Sequence, residues 1–411
     1  MVQSVATVSG SLSASSGGTA DLTSSGFGTV AAAIIHVSTA STTNNPEGTD
    51  AAVAIGFWDG TNCQSMTYHT ESGQGTTDTY SDSDASSLVI RWQDGVSDTW
   101  AVSNITDGIR LTNNDNVGGA YYITATLISG VDVAIGAVEP SNTQNNTTTV
   151  SGLSFAPSVV LMTGHSLQTL SSRGSDFNLS YGVAVDDGSL TQHCMGMRDT
   201  SGVGTSQKYT YFANNRIGLC IGNGSLTFSV ELTSWETDGF VVTTRDGNNF
   251  SADFSYMALG GDVLAELVKI STPTSTGDDS VSTTNTPKAL VVAQLGIPAE
   301  NTLYNAGNRT DGFSIGMSDG SNDYAFSLTS GDNIGTTNTQ VYYNSSGVID
   351  VDFENAGFGA FLDATASFGA ASIDFNYTKV LSTSRYGWGL AFTEVATGSV
   401  NRLVNGVLIR C

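Results

Sequence analysis

The chain has 411 residues, of which 38 are acidic and 14 basic, for a formal net charge of −24. A field this negative repels nucleic-acid phosphates and anionic lipid surfaces, so neither partner is expected. Only 13% of residues are charged, well under the usual share, which leaves Ser, Thr and Asn to form most of the surface.

The apolar runs are built from Val, Ile, Phe, Tyr and Thr, and Gly, Asn, Asp or Ser breaks them at short intervals. Such residues suit a pleated, half-buried surface, so the expectation is an all-β chain. In chain order, the first landmark is Val53-Ala54-Ile55-Gly56-Phe57-Trp58-Asp59-Gly60, an apolar strand ending on Asp-Gly. Glycine tolerates the positive φ of a tight turn, so a hairpin is predicted there. Thr106-Asp107-Gly108-Ile109 marks a further turn. Then Asp132-Val133-Ala134-Ile135-Gly136-Ala137-Val138 precedes a polar tract and Ser158-Val159-Val160-Leu161.

The same order returns about 130 residues on, an internal repeat of whole supersecondary units. Asp262-Val263-Leu264-Ala265-Glu266-Leu267-Val268 precedes a second polar tract and Lys288-Ala289-Leu290-Val291. The strand ending in Asp-Gly recurs at Tyr181 to Gly188 and at Phe313 to Gly320, and Thr237-Asp238-Gly239-Phe240 repeats the Thr-Asp-Gly turn. Near Gly369 to Phe375 that turn has decayed. Asp253-Phe254-Ser255-Tyr256 reads as the partner of Asp374-Phe375-Asn376-Tyr377.

Three tandem β-sandwich, jelly-roll-like domains are therefore expected, over 1–131, 132–262 and 263–411, the last with a C-terminal extension. In the second, strands are predicted at 158–163, 179–185, 191–197, 207–212, 216–221, 226–235, 239–244 and 251–259. Residues 133–138 and 263–269 also read as strands. The tracts 141–149 and 272–286 read as long surface connections.

Residue patterns for chemistry are sparse. There is no H-E-x-x-H and no P-loop. His36 and His165 follow comparable strands, which suggests loop positions. The four cysteines, Cys63, Cys194, Cys220 and Cys411, show no metal spacing; Cys194 and Cys220 could pair, with reduced thiols as the favoured reading. Trp58, Trp92, Trp100, Trp235 and Trp388 could stack on sugars, but core packing is the better reading of each; only Trp58, just before a turn, hints at exposure. Asp350, Asp352 and Glu354 alternate along one strand and would share a face; a bound calcium, basic neighbours or full solvation would relieve their repulsion, with a solvated outer face the favoured reading. Asp82 and Asp84 form a weaker pair. No other cofactor is indicated, and an enzyme is not expected.

The unit with an apolar strand, an Asp-Gly turn, Thr237-Asp238-Gly239-Phe240 and Tyr256-Met257-Ala258-Leu259-Gly260-Gly261 resembles a β-rich module of uncharacterised tailed-bacteriophage virion proteins. The likeness covers residues 150–261 best. It implies a structural protein on the particle exterior, decorating the head or associated with the tail, whose partners are other capsid or tail proteins. A homo-oligomer is then expected, with a trimer favoured. The start Met1-Val2-Gln3-Ser4 carries no secretory signal pattern, in line with assembly in a host cytoplasm. The alternative is a tail fibre or spike that binds host surface glycan.

Overall fold

The computed structural model describes residues 3–12, 15–39, 50–93, 96–115, 121–165, 173–174, 176–247, 252–305, 310–352, 360–394, 401–404 and 407–410. No helix occurs among them. The first ten strands are β1 (Ser4–Leu12), β2 (Thr19–Thr23), β3 (Ala32–Ser38), β4 (Asp50–Trp58), β5 (Cys63–Glu71), β6 (Thr79–Asp84), β7 (Leu88–Gln93), β8 (Val96–Ile105), β9 (Gly108–Asn113) and β10 (Tyr121–Ser129). They make a large sheet in the order β1-β10-β3-β4-β5-β6 and a small one in the order β2-β9-β8-β7. The pairing of β1 with β10 and of β2 with β9 is a folded ribbon, as in a jelly roll, while the inner strands are meanders.

The second set is β11 (Asp132–Val138), β12 (Thr147–Val150), β13 (Pro157–His165), β14 (Arg173–Gly174), β15 (Phe177–Asp186), β16 (Leu190–Asp199), β17 (Lys208–Ala213), β18 (Gly218–Ile221), β19 (Leu226–Glu236), β20 (Gly239–Gly247) and β21 (Asp253–Gly260). The third is β22 (Ala265–Ser271), β23 (Gly277–Ser282), β24 (Thr286–Leu295), β25 (Thr310–Ser318), β26 (Asp323–Gly331), β27 (Thr339–Asn344), β28 (Ile349–Asp352), β29 (Ala360–Phe368), β30 (Ser372–Lys379) and β31 (Tyr386–Glu394), followed by a hairpin of β32 (Asn401–Val404) and β33 (Val407–Arg410). The sheet orders β11-β21-β13-β15-β16-β17 and β12-β20-β19-β18 repeat the first sandwich strand for strand, and β22-β31-β24-β25-β26-β27 and β23-β30-β29-β28 repeat it again. The two-residue β14 and the C-terminal β32–β33 hairpin fall outside the pattern. Strand β14 adds to the edge of β6 in the first sandwich. The all-β, three-sandwich expectation holds.

Details of the repeat differ from the sequence reading. The polar tracts are not plain connections, since β12 and β23 lie within or against them as edge strands of the small sheets. Each has one exposed and one half-buried face, but a single apolar residue, Val150 or Val281, touches the core, so the sequence shows no apolar alternation. The Asp-Phe-x-Tyr match also fails. Asp253 opens β21 in a large sheet, whereas Asp374 lies in β30 of a small sheet. At the seams, Val133 pairs with Leu259 and Ala265 with Phe392, so these two residues hold equivalent places. The connection 261–264 is longer than 130–131, which shifts Val263 out of the strand it resembles. Glycine in the recurring apolar strand has a steric cause: a Cβ at Gly182 or Gly316 would land on the carbonyl oxygen of Ile217 or Val348.

Each sandwich has its own core between its sheets, around Ile35, Trp58 and Trp100 in the first, Phe228, Phe240 and Phe254 in the second, and Leu290, Leu362 and Phe375 in the third. The largest cluster belongs to none of them. Ile55, Met66 and Tyr68 of the first sandwich, Tyr181, Met195 and Met197 of the second, and Ile315, Phe326 and Trp388 of the third form one continuous core. The pairs Ile55–Met66, Tyr181–Met195 and Ile315–Phe326 are cross-strand neighbours at the same point of each repeat. The outer faces of the three large sheets therefore pack on one another about a pseudo-threefold axis. That explains why β3 is buried along its whole length, His36 and Ser38 included.

Because this core is shared, the three sandwiches should melt as one unit. Trp388→Ala, at a fully buried site of the third sandwich, should cost about 3–5 kcal/mol and lower a single calorimetric transition. Three separate transitions, with only one displaced, would contradict a shared core.

Candidate functional site: a pseudo-threefold interface

The connections between the fifth and sixth strands of each sandwich meet on the axis. They read Ser72-Gly73-Gln74-Gly75-Thr76-Thr77, Ser201-Gly202-Val203-Gly204-Thr205-Ser206 and Asp332-Asn333-Ile334-Gly335-Thr336-Thr337. Gly73, Gly202 and Asn333 take positive φ values of 74°, 73° and 56°, a conformation open to Gly and tolerated by Asn. This turns each tip toward the next loop.

A closed ring of backbone hydrogen bonds results. The N–H groups of Gly73, Gly202 and Asn333 donate to the carbonyls of Thr337, Thr77 and Ser206 at 2.6, 2.8 and 2.8 Å. In return, the N–H groups of Thr337, Thr77 and Ser206 donate to the carbonyls of Gln74, Val203 and Ile334 at 2.9, 2.9 and 3.1 Å. Hydroxyls add a third set: Thr337 Oγ1 accepts from Gln74 N, Thr77 Oγ1 from Val203 N, and Ser206 Oγ from Ile334 N, at 2.8, 3.0 and 3.1 Å. Ser201 Oγ, Asp332 Oδ1 and Ser72 Oγ then accept from the N–H groups of Thr79, Lys208 and Thr339. Each sandwich contacts the next head to tail, so the interface is heterologous and closes after three.

Below the ring lies a buried polar layer from the ends of β5, β16 and β26 and the starts of β6, β17 and β27. Here the symmetry breaks. The first sandwich supplies Thr70 and Thr79, the third Ser330 and Thr339, and the second Asp199 and Lys208. Lys208 Nζ lies 3.4 Å from Asp199 Oδ2, with side-chain exposures of 0% and 2%. Thr70 and Ser330 hydroxyls donate to the same oxygen at 3.4 Å. Burial raises the Asp199 carboxyl above the usual range, with Lys208 as the largest opposing influence.

The same cyclic order appears at the sheet edges. Arg173-Gly174 of the second sandwich pairs with β6 of the first. Tyr304 of the third exchanges two backbone bonds with Thr210 of β17, at 3.0 and 2.9 Å. Tyr122 of the first stacks on Tyr343 of the third, with centroids 3.9 Å apart, and Tyr386 of the third on Phe212 of the second at 6.2 Å. These contacts cover edges that would otherwise be open to other strands. The small sheets face outward instead, with polar pairs such as Asp21–Arg110 and Glu231–Arg245.

The structure disperses the residues singled out from sequence. Asp350 is buried and accepts a hydrogen bond from Asn344 at 3.0 Å. The Asp352 side chain and Glu354 lie outside the described residues. Among the described residues no three His, Cys, Asp or Glu side chains gather at metal-binding distance. Asp84 caps Ser86 and Ser87, and Asp59 and Asp319 cap their own turns. Trp58 is fully buried, since its strand is covered on both faces; the core reading holds and the hint of exposure from its place before a turn does not. Cys63, Cys194 and Cys220 are buried free thiols, and Cys411 lies outside the described residues.

His36 is not in a loop. It sits within β3 opposite Ile55, the place that Thr163 takes in the second sandwich, and its Nε2 is 3.3 Å from the Tyr181 hydroxyl across the domain boundary. The His165 side chain is outside the described residues. A cleft of about 260 Å³ opens between the second and third sandwiches, lined by Asp186, Asp187, Leu264, Glu266 and Asn285. Glu266 is already engaged there, accepting from Thr284 N and Asn285 N at 2.5 and 2.8 Å.

No protein-family model matches the chain, and no curated protein matches it. Among solved structures, a fructofuranosidase from Schwanniomyces occidentalis complexed with fructosylnystose aligns over 86% of this chain and 80% of its own, at 6% identity and a TM-score of 0.12. A similarity at that level supports neither a shared fold nor a shared activity.

Two outcomes follow from the geometry. Thr77→Val, Ser206→Ala and Thr337→Val each remove one hydroxyl of the ring, and each should cost about 1–2 kcal/mol by urea unfolding. One costly variant and two silent ones would show that the ring is not a closed unit. Burial also holds two imidazoles neutral, with pKa pushed down from 6.5 to about 3 for His36 and about 4 for His193. A folded pKa below the unfolded one means that stability is complete above about pH 6.5 and is lost as pH falls toward those values. Asp199, whose carboxyl burial raises, acts in the opposite sense, so the histidine effect is isolated by comparison with His36→Thr. That variant should lose less stability between neutral and mildly acidic pH than the parent. Equal losses would refute the assignment.

Proposed function

We propose that the chain is a structural protein of a tailed-phage particle exterior that acts through protein–protein contacts, as a preassembled threefold body within one polypeptide. The observation that carries this reading is the closed hydrogen-bonded ring. The faces and edges that a single sandwich would use to trimerise are satisfied inside the chain. What remains outward is three related small sheets, with polar faces and the edge strands β2, β12 and β23. Such a body fits a partner surface with threefold or local threefold order. The resemblance of residues 150–261 to virion modules supplies the particle setting, and the strong negative charge supports solubility and weak non-specific association. The trimer favoured from sequence is internal in this reading, and the free chain is a monomer.

Native mass spectrometry of the purified protein should give a single species near 42.5 kDa. A stable homotrimer would overturn the internal-trimer reading. Cryo-EM of particles carrying the protein should place its pseudo-threefold axis on a local threefold axis of the shell, in many copies. A few copies confined to fibre tips would favour the glycan-binding alternative instead.

A further inference from the structure

We propose that Asp199 and Lys208 condense into an intramolecular isopeptide bond once the three sandwiches have closed around them. The two residues are direct cross-strand partners in β16 and β17, and Nζ is 3.4 Å from Oδ2. Lys208 is buried, whereas Lys269, Lys288 and Lys379 are exposed. The ring of loops closes over the pair and the shared apolar core lies beneath it.

A dry site penalises an ammonium and a carboxylate alike, and proton transfer to the neutral amine and acid relieves both. Those are the reactive forms. The Nζ lone pair attacks Cγ of Asp199, and the Cγ–Oδ1 bond breaks. Oδ1 has no donor or acceptor partner among the described residues, and it leaves as water after taking up a proton from Nζ. Oδ2 becomes the amide carbonyl oxygen. The hydroxyls of Thr70 and Ser330, both pointed at Oδ2, stabilise the charge that develops on it. One amine and one carboxylic acid give one amide and one water, with no oxidant or further reactant.

Thr70 and Ser330 come from the first and third sandwiches, so the environment of the bond is complete only after ring closure. The bond would tie β16 to β17 at the base of the second axial loop and make that closure hard to reverse. The proposal does not depend on the phage reading.

Peptide mapping of the purified full-length protein tests it. Trypsin cuts after Arg198, Lys208 and Arg216, so an unlinked chain yields a peptide 199–208 at its sequence mass. The linked chain should resist cleavage after Lys208 and yield 199–216, lighter by one water. Asp199→Ala should restore cleavage after Lys208 and the full sequence mass, whether or not it folds. In Asp199→Asn the same bond would release ammonia in place of water. Recovery of unmodified 199–208 from the folded wild-type protein would overturn the proposal. So would a water loss found only on peptides holding the Asp-Gly turns, where succinimides form.

Discussion

The structure depends on three loops that satisfy one another's backbone groups at a single axis. A tight connection between two strands normally presents its N–H and C=O groups to water, which is why such loops lie at the surface. Here the positive φ at Gly73, Gly202 and Asn333 turns each tip so that its neighbour becomes the solvent. Closure has a consequence for everything below it. The large sheets lose their outer surface to a shared core and are buried on both faces. Ile55, Tyr181 and Ile315 thus serve an interface, although each looks from its own sandwich like an outward residue.

Burial of both faces also accounts for the distribution of polar groups. The ends of β5, β16 and β26 and the starts of β6, β17 and β27 lie in a water-poor layer, and hydroxyls dominate it because they can donate and accept within it. Asp199 and Lys208 are the exception. They make the second sandwich chemically distinct at the one place where all three converge. The net charge of −24 is carried elsewhere, by carboxylates with no cationic partner among the described residues, such as the exposed turn caps Asp59 and Asp319. The molecule keeps its repulsive charge on the outside and its contacts near the axis.

Much of the fold is legible in the sequence because strands and turns have local signals. The eight strands expected in the second unit all form, within a few residues of their predicted ends, since alternation and turn residues are read over short windows. The Thr-Asp-Gly turn is also found by its local pattern, although what it does is tertiary: Asp107 accepts from Gly26 N and Gly28 N and Asp238 from Gly152 N, and a Cβ at Gly108 or Gly239 would strike the carbonyl oxygen of Leu22 or Val150. Strands β12 and β23 escape notice because each is an edge strand with a single apolar residue, Val150 or Val281, on its inward face and so has no apolar period. The false partnership of Asp253 with Asp374 shows that a short motif carries no information about which sheet it joins. The axial loops are the hardest to read. Gly75-Thr76-Thr77, Gly204-Thr205-Ser206 and Gly335-Thr336-Thr337 do repeat, yet they are polar and Gly-rich, which reads as exposed loop. Their meaning lies in contacts between repeats, and no window of sequence contains both partners.

The central claim is that three sandwiches close on one axis rather than follow one another as beads. Small-angle X-ray scattering of the monomer tests this most directly. A compact body of this length should have a radius of gyration of about 22 Å. An open tandem array of three such domains would exceed about 30 Å, and a value in that range would contradict the account.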